Sequence, residues 1–188
     1  MRMSLAGLAT ALLAGSAAAA PMAEFPAVDE TSYVEADGAR AIQLTVEVAA
    51  PPDRVWTAIS TAEGWKSFAV KAAWVDFRTG GMIETNYKAD AQQGAPGNIK
   101  NRIEAYVPGR LLVIRNVQAP PGFENAEAFG RTLTLIEVRP SAAGSAVTLT
   151  AVGNRRELAF DALYGMFRMG DAWTLDELRK SFTKGGKR

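Results

Sequence analysis

The chain has no histidine and no cysteine. Without His there is no imidazole to act as general base or to activate a serine, and without Cys there is no thiolate nucleophile and no disulfide. A zinc site would have to be built from carboxylates alone, and no acidic cluster in the sequence suggests one. Charge of either sign is also missing in excess: 21 Lys and Arg stand against 20 Asp and Glu. A protein that binds nucleic acid is expected to carry a basic excess or stripe, so no nucleic-acid partner is implied. The chemistry left to the chain comes from carboxylates, Tyr, Lys, Arg, amides, backbone and apolar surface. Of that last there is plenty: 48% of its 188 residues are hydrophobic, and 4 Trp, 4 Tyr and 8 Phe are among them. This composition fits one globular domain with a short appendage.

The first residues read as a secretory signal peptide. Arg2 supplies a positive charge, Leu5 to Ala14 is apolar, and Ser16 to Ala20 is a run of small residues. Ala17 and Ala19 suit the recognition positions for cleavage before Ala20, so residues 1–19 are expected to leave and Ala20 to begin the mature chain. The apolar stretch falls short of the roughly 20 residues that span a bilayer, and no Cys follows for lipid attachment, so no membrane anchor is expected in the mature chain. The removed segment holds one Arg and no acid, which leaves 20 basic residues against 20 acidic ones. The alanine-rich leader points to a bacterial periplasm or the medium.

Residues 20–40 are rich in Ala, Pro and acids without sustained periodicity, and read as a linker or N-terminal arm. Residues 41–184 read as one domain, and residues 185–188 as a basic tail. Ile42 to Val48 alternates apolar and polar residues as a half-buried strand does. Pro51-Pro52-Asp53 then opens a short helix through Val55, Trp56 and Ile59. Ser60-Thr61-Ala62-Glu63 fits a capping box at the start of a second short helix, which runs through Trp65 to about Phe68. Strands follow over Ala73–Phe77 and Met82–Tyr87, joined by the Gly80-Gly81 turn, then over Ile99–Val107, Leu111–Val117, Leu133–Val138 and Ala146–Val152. The C-terminal part changes period: Phe160, Leu163, Phe167, Gly170, Thr174 and Leu178 trace one face of a long helix. The plan is α+β, with an antiparallel sheet of about seven strands that buries its apolar face on that helix.

The order of these elements resembles the helix-grip fold of the START/SRPBCC superfamily, in its bacterial branch related to polyketide cyclases and heat-shock ATPase activator homologues. The likeness covers about Ile42 to Phe182. It rests on Ala49-Ala50-Pro51-Pro52-Asp53-Arg54-Val55-Trp56, Ser60-Thr61-Ala62-Glu63-Gly64-Trp65, Asp76-Phe77-Arg78-Thr79-Gly80-Gly81, Val107-Pro108-Gly109-Arg110-Leu111 and the Leu175, Leu178, Phe182 end of the last helix. The family's Gly-Trp pair is here split between Gly170 and Trp173. The resemblance implies a curved sheet wrapped around the C-terminal helix, with an interior cavity for a small hydrophobic or aromatic ligand and no cofactor.

The expected lining is Tyr87, Phe123, Phe160, Tyr164, Phe167 and Trp173, with Gly165 and Gly170 as gaps between large neighbours; the same aromatics could equally fill a solid core. Strand parity adds a polar candidate. In Leu111 to Val117, either Arg115 or Asn116 must face the concave side; an inward Arg115 would need a ligand carboxylate or a protein carboxylate such as Glu137. Parity also predicts that Ile83, Thr85 and Tyr87 share one face while Glu84 and Asn86 face water. Ala119-Pro120-Pro121-Gly122-Phe123, with Phe129, reads either as a lid over a cavity mouth or as a long crossover anchored by its aromatics. Three functions follow: an exported binding protein, a cyclase- or hydrolase-like enzyme using Tyr164 or Tyr87 with Arg115, Asp76 or Glu137, and a protein-interaction module. The binding protein is the favoured reading, because no catalytic constellation is evident.

Overall fold

A computed structural model describes residues 20–183; the leader, residues 1–19, and the basic tail, residues 185–188, lie outside the described residues. The domain is an open antiparallel sheet curled around one long helix. Three short strands come first: β1 (Ala20–Pro21), β2 (Val28–Glu30) and β3 (Tyr33–Val34). β4 (Arg40–Val48) leads to helices α1 (Pro52–Ser60) and α2 (Ala62–Phe68). Then follow β5 (Ala72–Val75), β6 (Met82–Asn86), β7 (Ile99–Val107), β8 (Leu111–Gln118), the short helix α3 (Ala126–Gly130), β9 (Leu133–Ser141), β10 (Gly144–Asn154) and α4 (Leu158–Thr183). The sheet runs β1-β2-β4-β10-β9-β8-β7-β6-β5, with β3 also paired to β4. β4 to β10 are the seven strands expected from alternation, and the fold is the helix-grip arrangement. No helix among the described residues is long and apolar enough to cross a membrane.

β1 to β3 add an arm to the sheet. β2 pairs with β4 in the register Val28↔Val46, Met22 and Val28 are buried, and Glu30 receives a paired hydrogen bond from the Arg168 guanidinium on α4. These strands are two or three residues long, too short for alternation to show in sequence.

The core lies where β4, β10 and the end of α4 meet. Ile42, Leu44, Val46 and Val48 point inward from β4, while Ala172, Leu175 and Leu178 of α4 pack against them. Helix α1 begins at a proline, where a missing N–H costs nothing. The cap of α2 is Thr61, one residue later than the capping box placed it: its hydroxyl accepts from the Gly64 N–H at 3.1 Å, and Glu63 pairs with Lys66 instead. Between β5 and β6 both turn glycines are required. Gly80 has φ +81°, and a Cβ on Gly81 would sit 2.1 Å from the Asp76 carbonyl oxygen.

Candidate functional site

Between the concave face of the sheet and the middle of α4 lies a cavity of about 390 Å³, within the usual range for small-molecule sites. Alternate residues of successive strands floor it: Ile83 and Thr85 on β6, Ile99 and Asn101 on β7, Ile114 and Asn116 on β8, Thr134 and Ile136 on β9. Trp65 closes the α2 side, held by an indole N–H bond to the Ile59 carbonyl at 2.9 Å. Pro120, Phe123 and Phe129 form the roof. Phe129 lies 4.4 Å from Phe167 of α4, and Phe123 5.7 Å from Phe129, ring centre to ring centre. The connection from β8 to β9 is thus at once a crossover anchored by its aromatics and the cover of the cavity. It includes α3, whose five residues are too few to show a helical period in sequence.

The wall on α4 is the stripe Phe167, Gly170, Asp171 and Thr174. Gly170 leaves a gap: a Cβ built there meets no atom within 4 Å. Asp171 is the one carboxyl in the lining. Among the described residues it has no ion-pair or hydrogen-bond partner within the protein. Apolar surroundings disfavour its charged form and push its carboxyl up from the ordinary 3.8 to about 7. Tyr87 stands at the mouth with more than half of its surface exposed; partial loss of water around its hydroxyl, and then the charge of Asp171, push its proton equilibrium up.

Of the residues named from sequence, Tyr87, Phe123 and Phe167 line this cavity and four do not. Phe160 is fully buried in a separate cluster with Ala128 and Leu163, beneath the roof. Tyr164, two turns of the stripe away from Asp171, stacks under the Arg40 guanidinium at 4.3 Å. Trp173 points to the outer side of α4 and is exposed. Arg115 is turned to the convex face, where its guanidinium donates to Glu104 at 3.1 Å and to the Gly130 carbonyl at 3.3 Å. The parity alternative therefore falls to Asn116, whose side-chain amide donates to the Lys100, Gln118 and Asn101 oxygens. Glu137 pairs with Arg139 and Asp76 with Arg78, both away from the cavity. Glu84 does not face water as alternation predicted. The loop after β6 folds over it, and its carboxylate accepts from the Gly94 N–H at 2.7 Å and the Asn98 amide at 2.6 Å.

Asp171 was missed although it lies four residues after Phe167 and three before Thr174, on the stripe already identified. A single acid on an otherwise apolar helical face is the signal that finds it. Among the described residues no group of three or more acidic side chains could hold a metal ion.

The curled sheet, the gripping helix and the cavity between them define a helix-grip domain with an open interior. Residues 39–182 match the model of the family described as polyketide cyclase / dehydrase and lipid transport, and the chain belongs to that family. Among solved structures it is similar to CalU16 from Micromonospora echinospora, at 20% identity over 86% of this chain and 87% of that one, TM-score 0.58. It is also similar to the Aha1 protein from Colwellia psychrerythraea, solved as a dimer, at 16% identity over 79% and 98%, TM-score 0.60. A third is the AHSA1-like protein from Aeromonas hydrophila, at 12% identity over 78% and 94%, TM-score 0.54. At these identities the likeness establishes the fold alone. No curated protein matches the sequence.

Proposed function

We propose that the protein is an exported binding protein that holds a small hydrophobic or aromatic molecule between the sheet and α4. The observation that carries this reading is the cavity of about 390 Å³, apolar over most of its wall and covered by Phe123 and Phe129. Export rests on the leader sequence of residues 1–19, and its measurement is N-terminal sequencing of protein recovered from the periplasm or medium, with Ala20 as the expected first residue. Ligand binding is tested by native mass spectrometry of protein purified from its own host, followed by organic extraction. A stoichiometric apolar adduct supports the reading. Protein that stays free of adducts and binds no member of a panel of aromatic and lipidic compounds refutes it.

A second reading, an enzyme of the cyclase or hydrolase kind, is favoured by Asp171 and not by the residues first considered for it. A carboxyl with its proton equilibrium near 7, in a cavity that also carries a phenol at its mouth, is suited to general acid and base work at neutral pH. In this reading Asp171 shuttles the proton and the Tyr87 hydroxyl polarises a carbonyl. Asp171→Asn would then abolish turnover of a converted ligand while leaving its binding measurable.

A further inference from the structure

The binding reading leaves open what polar group the ligand carries, and the lining of the cavity bears on that. Its side chains include no Lys and no Arg. An anionic ligand, whether fatty acid, phosphate ester or aromatic carboxylate, would enter without a counter-charge and meet Asp171. A cation would find one carboxyl with no ion-pair partner among the described residues, in a lining that also holds the aromatic rings of Phe167, Phe129 and Trp65. We propose that the cavity selects an apolar or aromatic molecule bearing a protonated amine, which Asp171 receives as its counter-ion.

This inference rests on the binding reading and narrows it to a ligand class. Among the described residues, the other titratable side chain in the lining is Tyr87, just past the end of β6. The parts of α2, β7, β8, β9, β10 and the roof that line the cavity present only apolar, hydroxyl or amide side chains. On α4 itself, Arg168 is engaged with Glu30, and Asp176 with Arg179 and Lys180. Among the described residues no cation pairs with the Asp171 carboxyl. Proton balance gives the proposal a signature. In the empty cavity at pH 6 Asp171 is largely protonated, since its equilibrium lies near 7. An ammonium that pairs with the carboxylate must expel that proton to solvent, close to one per ligand bound. Above pH 7 the release fades and the affinity for the amine reaches its plateau.

The test uses three probes of one shape, 1-naphthylmethylamine, 1-naphthylmethanol and 1-naphthoic acid, titrated calorimetrically into the protein. Measurements at pH 6 and pH 8, each in two buffers of different ionisation enthalpy, count the protons. At pH 8 the amine is expected to bind at least about tenfold more tightly than the alcohol, a difference of about 1.4 kcal/mol, and the acid more weakly than either. At pH 6 the amine alone is expected to release a proton. Asp171→Asn is expected to abolish the preference for the amine, which then binds no more tightly than the alcohol because its charge enters an apolar cavity without a counter-ion. Alcohol binding without amine preference, or amine binding without proton release at pH 6, overturns the amine inference and leaves the binding reading standing. Failure of all three probes to bind overturns the amine inference, and the binding reading falls with it when the purified protein also carries no adduct and binds no member of the panel. The proton count is made on the unmodified protein, so the proposal remains exposed to refutation even if the variant folds poorly.

Discussion

Asp171 makes a quantitative statement about stability that needs no ligand. Its carboxyl releases a proton near pH 3.8 in the unfolded chain and near 7 in the fold. Between those values the folded state holds a proton that the unfolded state has lost, so this group lowers stability as pH rises, by up to about 1.4 kcal/mol per pH unit. The loss saturates above pH 7, at a total on the order of 4 kcal/mol. Replacement by asparagine keeps the shape and removes the ionisation. Asp171→Asn should therefore gain on the unmodified protein by roughly 3 kcal/mol between pH 5 and pH 8. Urea unfolding at the two pH values measures it: the gap between the two proteins should widen by on the order of 1 M in midpoint at pH 8. Glu30, Glu104 and Asp176, whose carboxyls are held below their ordinary values, drive stability in the opposite direction. They are common to both proteins and cancel in the difference. A gap that stays constant with pH would refute the claim that Asp171 faces the cavity without a partner.

Gly170→Leu should block ligand entry without harming the fold, since open space surrounds the position and removal of a helix-interior glycine contributes about 0.5–1 kcal/mol; the readouts are Tm and probe affinity. Arg115→Met should leave probe affinity unchanged and cost at most about 1 kcal/mol in urea unfolding, as a partly exposed ion pair on the convex face does. Glu30→Gln should weaken the arm. The Arg168 guanidinium holds the Glu30 carboxyl below its ordinary 4.5, so its contribution is present above that pH and is lost as pH falls through the lower folded value. Acid unfolding of the variant should lack that component, and amide exchange over residues 20–34 should be faster at neutral pH.

Most of the scaffold was legible because long elements carry a period. β4 alternates over nine residues and α4 repeats its apolar face over 26, so both identify themselves. The same rule placed Ile83, Thr85 and Tyr87 on the cavity side and Phe167, Gly170 and Thr174 on its helical wall. What escaped depends on contacts made far along the chain. Arg115 and Asn116 are adjacent, and which one faces inward follows from pairing with β7, whose register shifts at Lys100/Asn101 and again at Ile103/Ala105. Alternation assigns Glu84 to solvent because it cannot see the loop of residues 92–98 that returns to cover it. Phe160, Tyr164 and Phe167 recur at helical spacing, yet the helix begins beyond the cavity, so only the last of them reaches it. Asp171 carries no signal by clustering, since it stands as a single carboxyl on an apolar helical face.

The N-terminal arm has a consequence for how these molecules meet one another. Without it β4, nine residues long and strongly apolar on its inner side, would be the rim of the sheet and would offer a full row of unpaired backbone groups to any passing strand. With the arm docked, that rim is the two-residue β1, half of it Pro21, which has no N–H to give. The opposite rim, β5, is only four residues long. A sheet finished in this way offers neighbouring copies almost no backbone to pair with, so the chain can be concentrated without growing into ribbons.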